Sequence, residues 1–120
     1  MSQKHLFVVY SGADHVGKVF HALTHAKQVH VRGDVAELFF AAEGTAWPER
    51  LASSEHPMHG LFDELLEAGV IQGACQACAD AFGHTEGARS TVGLVRGPDD
   101  SFGQIDIIGK ADGGYRVWLF

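Results

Sequence analysis

The chain has two cysteines, Cys75 and Cys78, and only two residues separate them. They follow an apolar run over residues 70–74 that predicts a buried strand. A short helix, predicted over residues 77–82, follows and ends at Gly83. A thiol at the start of a helix lies near backbone N–H groups, which favour the thiolate, the reactive form of cysteine. The spacing therefore predicts a thiol site at the junction of a strand and a helix.

Sulfur carriage, dithiol redox exchange and metal binding are the chemistries that such a pair can serve in a reducing compartment. Redox exchange of the thioredoxin type is disfavoured, because no aromatic residue precedes Cys75 and no proline lies inside the pair. A zinc site needs further ligands, and His84 is the nearest candidate. Sulfur carriage therefore ranks first, with Cys75 and Cys78 as the candidate catalytic residues. A packing role stays open, because free cysteine is also a good core residue.

Other motifs are weaker candidates for function. Residues 12–18 have the glycine and lysine spacing of a phosphate-binding loop, but Val19 stands where that motif needs a hydroxyl group. Two histidine pairs have the spacing of one helical turn, His21 with His25 and His56 with His59. Neither pair has a carboxylate or thiolate nearby, and both fall on predicted solvent faces. We therefore predict no metal and no cofactor.

Composition limits the class of protein. A length of 120 residues, 46% hydrophobic residues and three prolines predict one globular domain, residues 1–120. No window has the roughly 18 uncharged apolar residues of a membrane span, and residues 1–4 lead into a strand pattern instead of a signal peptide. We expect a soluble, cytoplasmic protein. A net charge of −6 without a Lys/Arg cluster argues against nucleic acid or an anionic membrane as partner.

The elements that position the thiols alternate between strand and helix. Strands are predicted at residues 6–10, 35–42, 70–74, 91–95 and 115–120. This alternation predicts a parallel sheet with helices on both faces, although the strand order stays open. At the carboxyl edge of such a sheet, the loops at residues 11–17 and 43–47 are expected to lie beside Cys75.

Three helical segments are predicted between these strands besides the one after Cys75. The first opens near Val16, ends at Arg32, and has an apolar stripe formed by Val16, Val19, Phe20, Leu23 and Ala26. The second opens at Pro57, ends at Gly69, and has a stripe formed by Met58, Leu61, Phe62, Leu65 and Leu66. Residues 101–112 fit a strand or a helix, and we favour a helix because acidic residues and a serine could cap it. Trp47 and Pro48 begin a short turn or helix.

The order of several segments resembles the DsrE/DsrF-like family of sulfur-relay proteins over nearly the full chain. They are the apolar first strand, residues 41–44, residues 66–70, Cys75 with Gly83 eight residues on, and residues 114–120. The resemblance implies a three-layer α/β/α sandwich with a five-stranded, mostly parallel sheet. It also implies assembly into trimers, hexamers or mixed relatives, and a persulfide on the cysteine after the third strand, which is Cys75. Cys78 is not part of the general family pattern.

The leading hypothesis is a small sulfur carrier of the sulfurtransferase type that holds sulfane sulfur on Cys75, with Cys78 assisting or resolving. Its expected partners are sulfur donor and acceptor proteins and further copies of itself or related subunits. Assembly is also expected because Trp47, Trp118 and Phe120 lie at segment ends, where a small domain has trouble burying them. A non-catalytic binding module and a Cys75/Cys78 redox switch are the alternatives.

Overall fold

Five strands form one parallel sheet in the computed structural model of the protein, which describes residues 2–120. The strands are β1 (Lys4–Val9), β2 (Val35–Phe40), β3 (Ile71–Cys75), β4 (Leu94–Val95) and β5 (Tyr115–Leu119). Their order across the sheet is β4-β3-β2-β1-β5, so β4 and β5 are the edges. Because every neighbouring pair is parallel, all five carboxyl ends meet at one edge of the sheet.

Six α-helices and two 3-10 turns connect these strands within the described residues. The helices are α1 (Val16–Val31), α2 (Trp47–Leu51), α3 (His59–Glu67), α4 (Gln76–Phe82), α5 (Thr85–Arg89) and α6 (Ile107–Asp112). The 3-10 turns cover Ala42–Ala46 and Asp99–Ser101. The predicted fold class, a three-layer α/β/α sandwich with a five-stranded parallel sheet, is confirmed.

The two faces of the sheet are covered to different depths. On the first face, Phe7, Leu38 and Phe40 pack in a large core with buried residues of α1, α2, α3 and α5. On the second face, a smaller core that contains Leu6 and Val8 is covered by α6, the start of α4 and the segment that precedes α6. The thiols belong to this second, thinner layer.

An irregularity in β3 decides which face receives Cys75. Leu38 of β2 pairs with Ile71, but the next residue, Phe39, pairs with Gly73, so Gln72 is skipped. Side chains alternate between faces along a strand, and one extra residue reverses the alternation that follows. Ile71 therefore lies in the first core, whereas Cys75 lies in the second. Gly73 has φ 146°, and a Cβ there would lie 2.7 Å from Val95 Cγ2.

A partly buried ion pair fixes α6 to the second face of the sheet. Glu37 of β2 accepts hydrogen bonds from Lys110 Nζ and from the Tyr115 hydroxyl, each at 2.7 Å. Burial alone would raise the pKa of Glu37, but these hydrogen bonds outweigh it and hold the pKa below its usual value. The carboxylate is therefore ionised at neutral pH and anchors the helix that covers this face.

The segment before β5 differs from the predicted helix over residues 101–112. Only a 3-10 turn forms at Asp99–Ser101, and α6 begins at Ile107, where the Asp106 side chain accepts the Gly109 N–H at 2.9 Å. Phe102 and Gly103, both with positive φ, turn the chain between the two and prevent a continuous helix. The predicted fourth strand is also shorter, with two residues instead of five, and α5 was not predicted.

Burial corrects three further expectations. Trp47 is buried, because its ring joins the first core and its indole N–H donates to the Ser11 carbonyl at 2.9 Å. Trp118, in contrast, is 47% exposed. The buried stripe of α1 consists of Val19, Ala22, Leu23 and Ala26. The sequence predicts Val16 and Phe20 in that stripe, but both lie outside the buried face of α1 and are exposed.

Candidate functional site

Cys75 is the last residue of β3 and the N-cap residue of α4. Its backbone is still extended, with φ −60° and ψ 118°, so its side chain stays on the second face while the chain turns into the helix. The sulfur accepts the backbone N–H of Cys78 at 3.4 Å and lies 4.0 Å from the carbonyl oxygen of Gly103. The exposed fraction of Cys75 is 0%, and it is one of the residues that line a cavity at this edge of the sheet.

Cys78 lies in the first turn of α4 and is half-buried. Burial, reinforced by a side-chain hydrogen bond to Cys75, raises the pKa of Cys78 to about 11, against an opposing contribution from the Ala42 backbone N–H. Cys78 is therefore a neutral thiol at pH 7. Its backbone N–H donates to the Cys75 sulfur at 3.4 Å, an arrangement suited to a sulfur atom that carries negative charge.

A cavity of about 350 Å³, called the thiol cavity below, opens beside both cysteines at the carboxyl edge of the sheet. Its walls are apolar, with Ala41, Ala77, Phe82, Phe102 and Ile105 among them, and its polar side chains besides the thiols are Tyr10 and Gln104. Burial, followed by the two nearby thiols, raises the pKa of Tyr10. The Tyr10 hydroxyl is therefore a neutral hydrogen-bond donor at the site.

The 3-10 turn after β2 begins at Ala42, which lines this cavity, and fits tightly against β1. The Gly44 N–H donates to the carbonyls of Tyr10 at 3.2 Å and Ala41 at 2.8 Å. A Cβ at Gly44 would lie 2.1 Å from the Val9 carbonyl oxygen, so only glycine permits this approach. Ala42 has φ 49°, a left-handed conformation that is uncommon for alanine, and its N–H is the one that interacts with Cys78.

Comparison with known proteins gives one family over almost the whole chain. The sequence pattern of the DsrE/DsrF-like family matches residues 3–118. The chain belongs to the DsrE/DsrF-like family. An uncharacterized protein of Methanocaldococcus jannaschii is 28% identical to it over 99 residues, which are 82% of this chain and 77% of the relative. No solved structure matches the chain. Membership in the DsrE/DsrF-like family indicates a role related to sulfur relay.

The loops expected beside Cys75 in this DsrE/DsrF-like chain lie at the same edge of the sheet but face a neighbouring cavity. Residues 12–15 line it together with Glu43, Ala46, Arg50 and His84, and its volume is about 330 Å³. The charged side chains at this edge therefore surround the neighbouring cavity. His84, the nearest candidate for a zinc ligand, also faces that cavity and does not line the one that holds the thiols.

A third cavity of about 390 Å³ lies between α1 and β5, away from the thiols. Its walls include Phe7, Phe120 and Trp118, together with His5 and His25. The indole N–H of Trp118 donates to His5 Nδ1 at 3.0 Å, and His25 Nδ1 is hydrogen-bonded to Gln28 at 2.7 Å. It is slightly larger than the thiol cavity but contains no nucleophile, so the candidate chemistry stays with the thiols.

The histidine pairs make local contacts on their helices and turns. His21 and His25 stack on α1 with ring centres 5.8 Å apart, while His59 Nδ1 is hydrogen-bonded to the Leu51 carbonyl at 2.9 Å. His56 and His59 are half-buried, in contrast to the solvent faces expected for them. Within residues 2–120, no group of three or more His, Cys, Asp or Glu side chains is placed to hold a metal ion. None of the helices in that range has the length and apolar character needed to cross a bilayer.

Sequence reasoning found the two cysteines, and the structure brings them together at one cavity. It missed Tyr10, Ala42 and the wall formed by residues 102–105. Tyr10 could have been found, because it directly follows β1 and the carboxyl ends of parallel strands share one edge. The wall could not, since no pattern in residues 102–105 indicates that they fold back over β3.

Proposed function

We propose that the protein is a sulfur carrier of the sulfurtransferase type, in which Cys75 holds sulfane sulfur as a persulfide and passes it to the thiol of a partner. The observation that carries this proposal is the position of the Cys75 sulfur at the start of α4, where it accepts the Cys78 backbone N–H at 3.4 Å and lines the thiol cavity. Membership in the DsrE/DsrF-like family supports the same chemistry.

The transfer needs two displacements and no external oxidant or reductant. The Cys75 thiolate attacks the outer sulfur of a donor R–S–SH, the donor S–S bond breaks, and R–S⁻ leaves with the bonding electrons. Cys75 then carries –S–SH. In the second step an acceptor thiolate attacks this outer sulfur, and Cys75 leaves as a thiolate while the acceptor becomes the persulfide. Each step exchanges one S–S bond for another.

Cys78 and Tyr10 act as neutral donors in this scheme. With its pKa raised to about 11, Cys78 stays protonated at neutral pH and does not compete as a nucleophile. Its backbone N–H stabilises negative charge on Cys75 before attack and again when Cys75 is the leaving group. The Tyr10 hydroxyl lines the same cavity and is available to hydrogen-bond the outer sulfur.

Mass spectrometry of the protein after incubation with an organic persulfide tests the proposal. We expect one added sulfur atom on the wild type and on Cys78→Ser, mapped to the peptide that contains Cys75, and no addition to Cys75→Ser. Circular dichroism of the three proteins controls for folding. An unmodified wild type, or sulfur addition that persists in Cys75→Ser, would contradict the assignment.

The proximity of the two cysteines, with the Cys78 N–H donating to the Cys75 sulfur at 3.4 Å, favours a dithiol redox switch as a second candidate function. Both cysteines are free thiols, and a cysteine pair with this spacing can close a disulfide. Titration with mixtures of oxidised and reduced glutathione separates the two functions. A switch requires a Cys75–Cys78 disulfide at physiological potentials, whereas a carrier keeps both thiols free there and accepts sulfur from a persulfide.

A further inference from the structure

No charged side chain from the described residues lines the thiol cavity. The cavity beside it, at the same edge of the sheet, is lined by Asp14, His15, Glu43, Arg50 and His84. Polar and charged groups are thus available at this edge, but the fold directs them away from the sulfur atoms. Cys75 is the only ionisable group among the causes of the raised pKa of Cys78, which agrees with the absence of charged side chains from the cavity lining.

A cation that lies close to Gly103, beside the cavity wall, is paired with a carboxylate. The guanidinium of Arg96 lies 3.5 Å from the position that a Cβ on Gly103 would take, but it pairs with Asp99 at 3.1 Å and is exposed to solvent. The protein as a whole carries a net charge of −6, which repels anions at long range. An anionic ligand would therefore lose its hydration in the thiol cavity without meeting a positive charge.

We propose that the thiol cavity exchanges sulfane sulfur with carriers that are uncharged around the persulfide, and that it discriminates against anionic donors such as thiosulfate. This inference rests on the proposed function of Cys75. The ligand chemistry is a persulfide R–S–SH whose neighbouring groups are apolar or amide-like. Phe82, Phe102 and Ile105 provide apolar contacts for R, and Tyr10 provides a hydrogen bond that needs no charge on the ligand.

The same surroundings favour the reactive form of the donor. The neutral R–S–SH is the electrophile, and its outer sulfur accepts the Cys75 electron pair while R–S⁻ departs toward the mouth of the cavity. The ionised form R–S–S⁻ is not electrophilic and would be desolvated without compensation in an apolar site. An uncharged cavity therefore selects the protonation state that reacts as well as the carrier that brings it.

A matched pair of donors tests the inference on the full-length protein. N-acetylcysteine persulfide carries a carboxylate, and the persulfide of its methyl ester is the same molecule without that charge. We expect the ester to load Cys75 at least about tenfold faster, with thiosulfate slower than either, because an uncompensated carboxylate is costly to bury. A capped, uncharged tripeptide persulfide with apolar flanks tests whether the natural carrier is a protein or a small molecule. Faster loading from the peptide than from the ester assigns the carrier to a protein, and equal or slower loading assigns it to a small molecule.

Gln104→Lys is the complementary variant, because Gln104 is exposed at the cavity mouth and its replacement should not disturb the core. We expect it to raise loading by the carboxylate donor about threefold or more relative to the ester, through attraction across the cavity mouth. Gln104→Met, similar in size and neutral, is the control and should leave the ratio unchanged. Equal loading by both donors in the wild type, or a ratio unaffected by Gln104→Lys, overturns the selectivity. Failure of every donor to load Cys75 would instead reject the proposed function.

Discussion

The raised pKa of Cys78 gives the sharpest prediction for the site. Its pKa of about 11 stands against an ordinary value of 9.0, so burial and the hydrogen bond to Cys75 lower its thiolate population at neutral pH by about a hundredfold. Because only the thiolate reacts with iodoacetamide, alkylation of Cys78 should be slow at pH 7 and should rise about tenfold per pH unit. It should reach no plateau below about pH 10.

Pulsed alkylation between about pH 7 and pH 12 measures this profile, and fragment-ion mass spectrometry distinguishes label on Cys78 from label on Cys75 in the peptide that contains both. The same protein unfolded in urea supplies the reference profile, and circular dichroism verifies that the native samples remain folded. Solvent access changes the absolute rate at all pH values, whereas the midpoint of the profile reports the pKa alone. The two contributions are therefore separable in one experiment.

Replacement of Cys75 by serine separates the causes of the shift. It removes the Cys75 thiol and its charge but leaves the burial of Cys78, which is the largest cause. The midpoint should therefore move down but remain above that of the unfolded reference. A native wild-type midpoint at the unfolded value would refute the description of Cys78 as a neutral donor, and with it the division of roles between the two thiols.

Two further predictions concern the structure around the site. Gly44→Ala should destabilise the protein by about 1–3 kcal/mol in urea unfolding, because the new Cβ would overlap the Val9 carbonyl oxygen. Gly60→Ala, with no atom within 4 Å of its new Cβ, is the control and should change stability little; equal effects would contradict the tight fit. Glu37→Gln should cost about 1–2 kcal/mol at pH 7, where the charged carboxylate binds Lys110. Since the pKa of Glu37 is lowered in the fold, its contribution is present above the usual carboxylate range and is lost as the pH falls through the lowered pKa. The wild type and Glu37→Gln should therefore converge in acid, and a difference independent of pH would exclude the ion pair as its cause.

The parts of the fold with strong periodic patterns were predictable from the sequence. The apolar runs of β1 and β2 and the helix α3 lie where their patterns place them, within a few residues at each end. A parallel sheet followed from their alternation. Helix α5 was missed because it has only five residues and one buried side chain, Ala88, too short for a recognisable stripe.

The region that covers the thiols was the least predictable part. Ile105 and Ile107 pack against the second face, whereas Ile108 is 67% exposed. The three isoleucines therefore do not form the single buried stripe that their spacing suggests. The helix predicted over residues 101–112 is interrupted at Gly103, because that residue has φ 76°, outside the helical range. The skipped residue in β3, which turns Cys75 toward the cavity, depends on the contact of Gly73 with a neighbouring strand and has no local signature.

In the proposed function, Cys75 accepts sulfur and gives it up again. The most direct test is a single turnover with a persulfide whose outer sulfur is isotopically heavy, followed by removal of the donor and addition of an acceptor thiol. We predict that the heavy sulfur first appears on the Cys75 peptide and then on the acceptor, at the rate at which Cys75 loses it. Heavy sulfur that stays on the protein, or transfer that proceeds equally well in Cys75→Ser, would contradict the account.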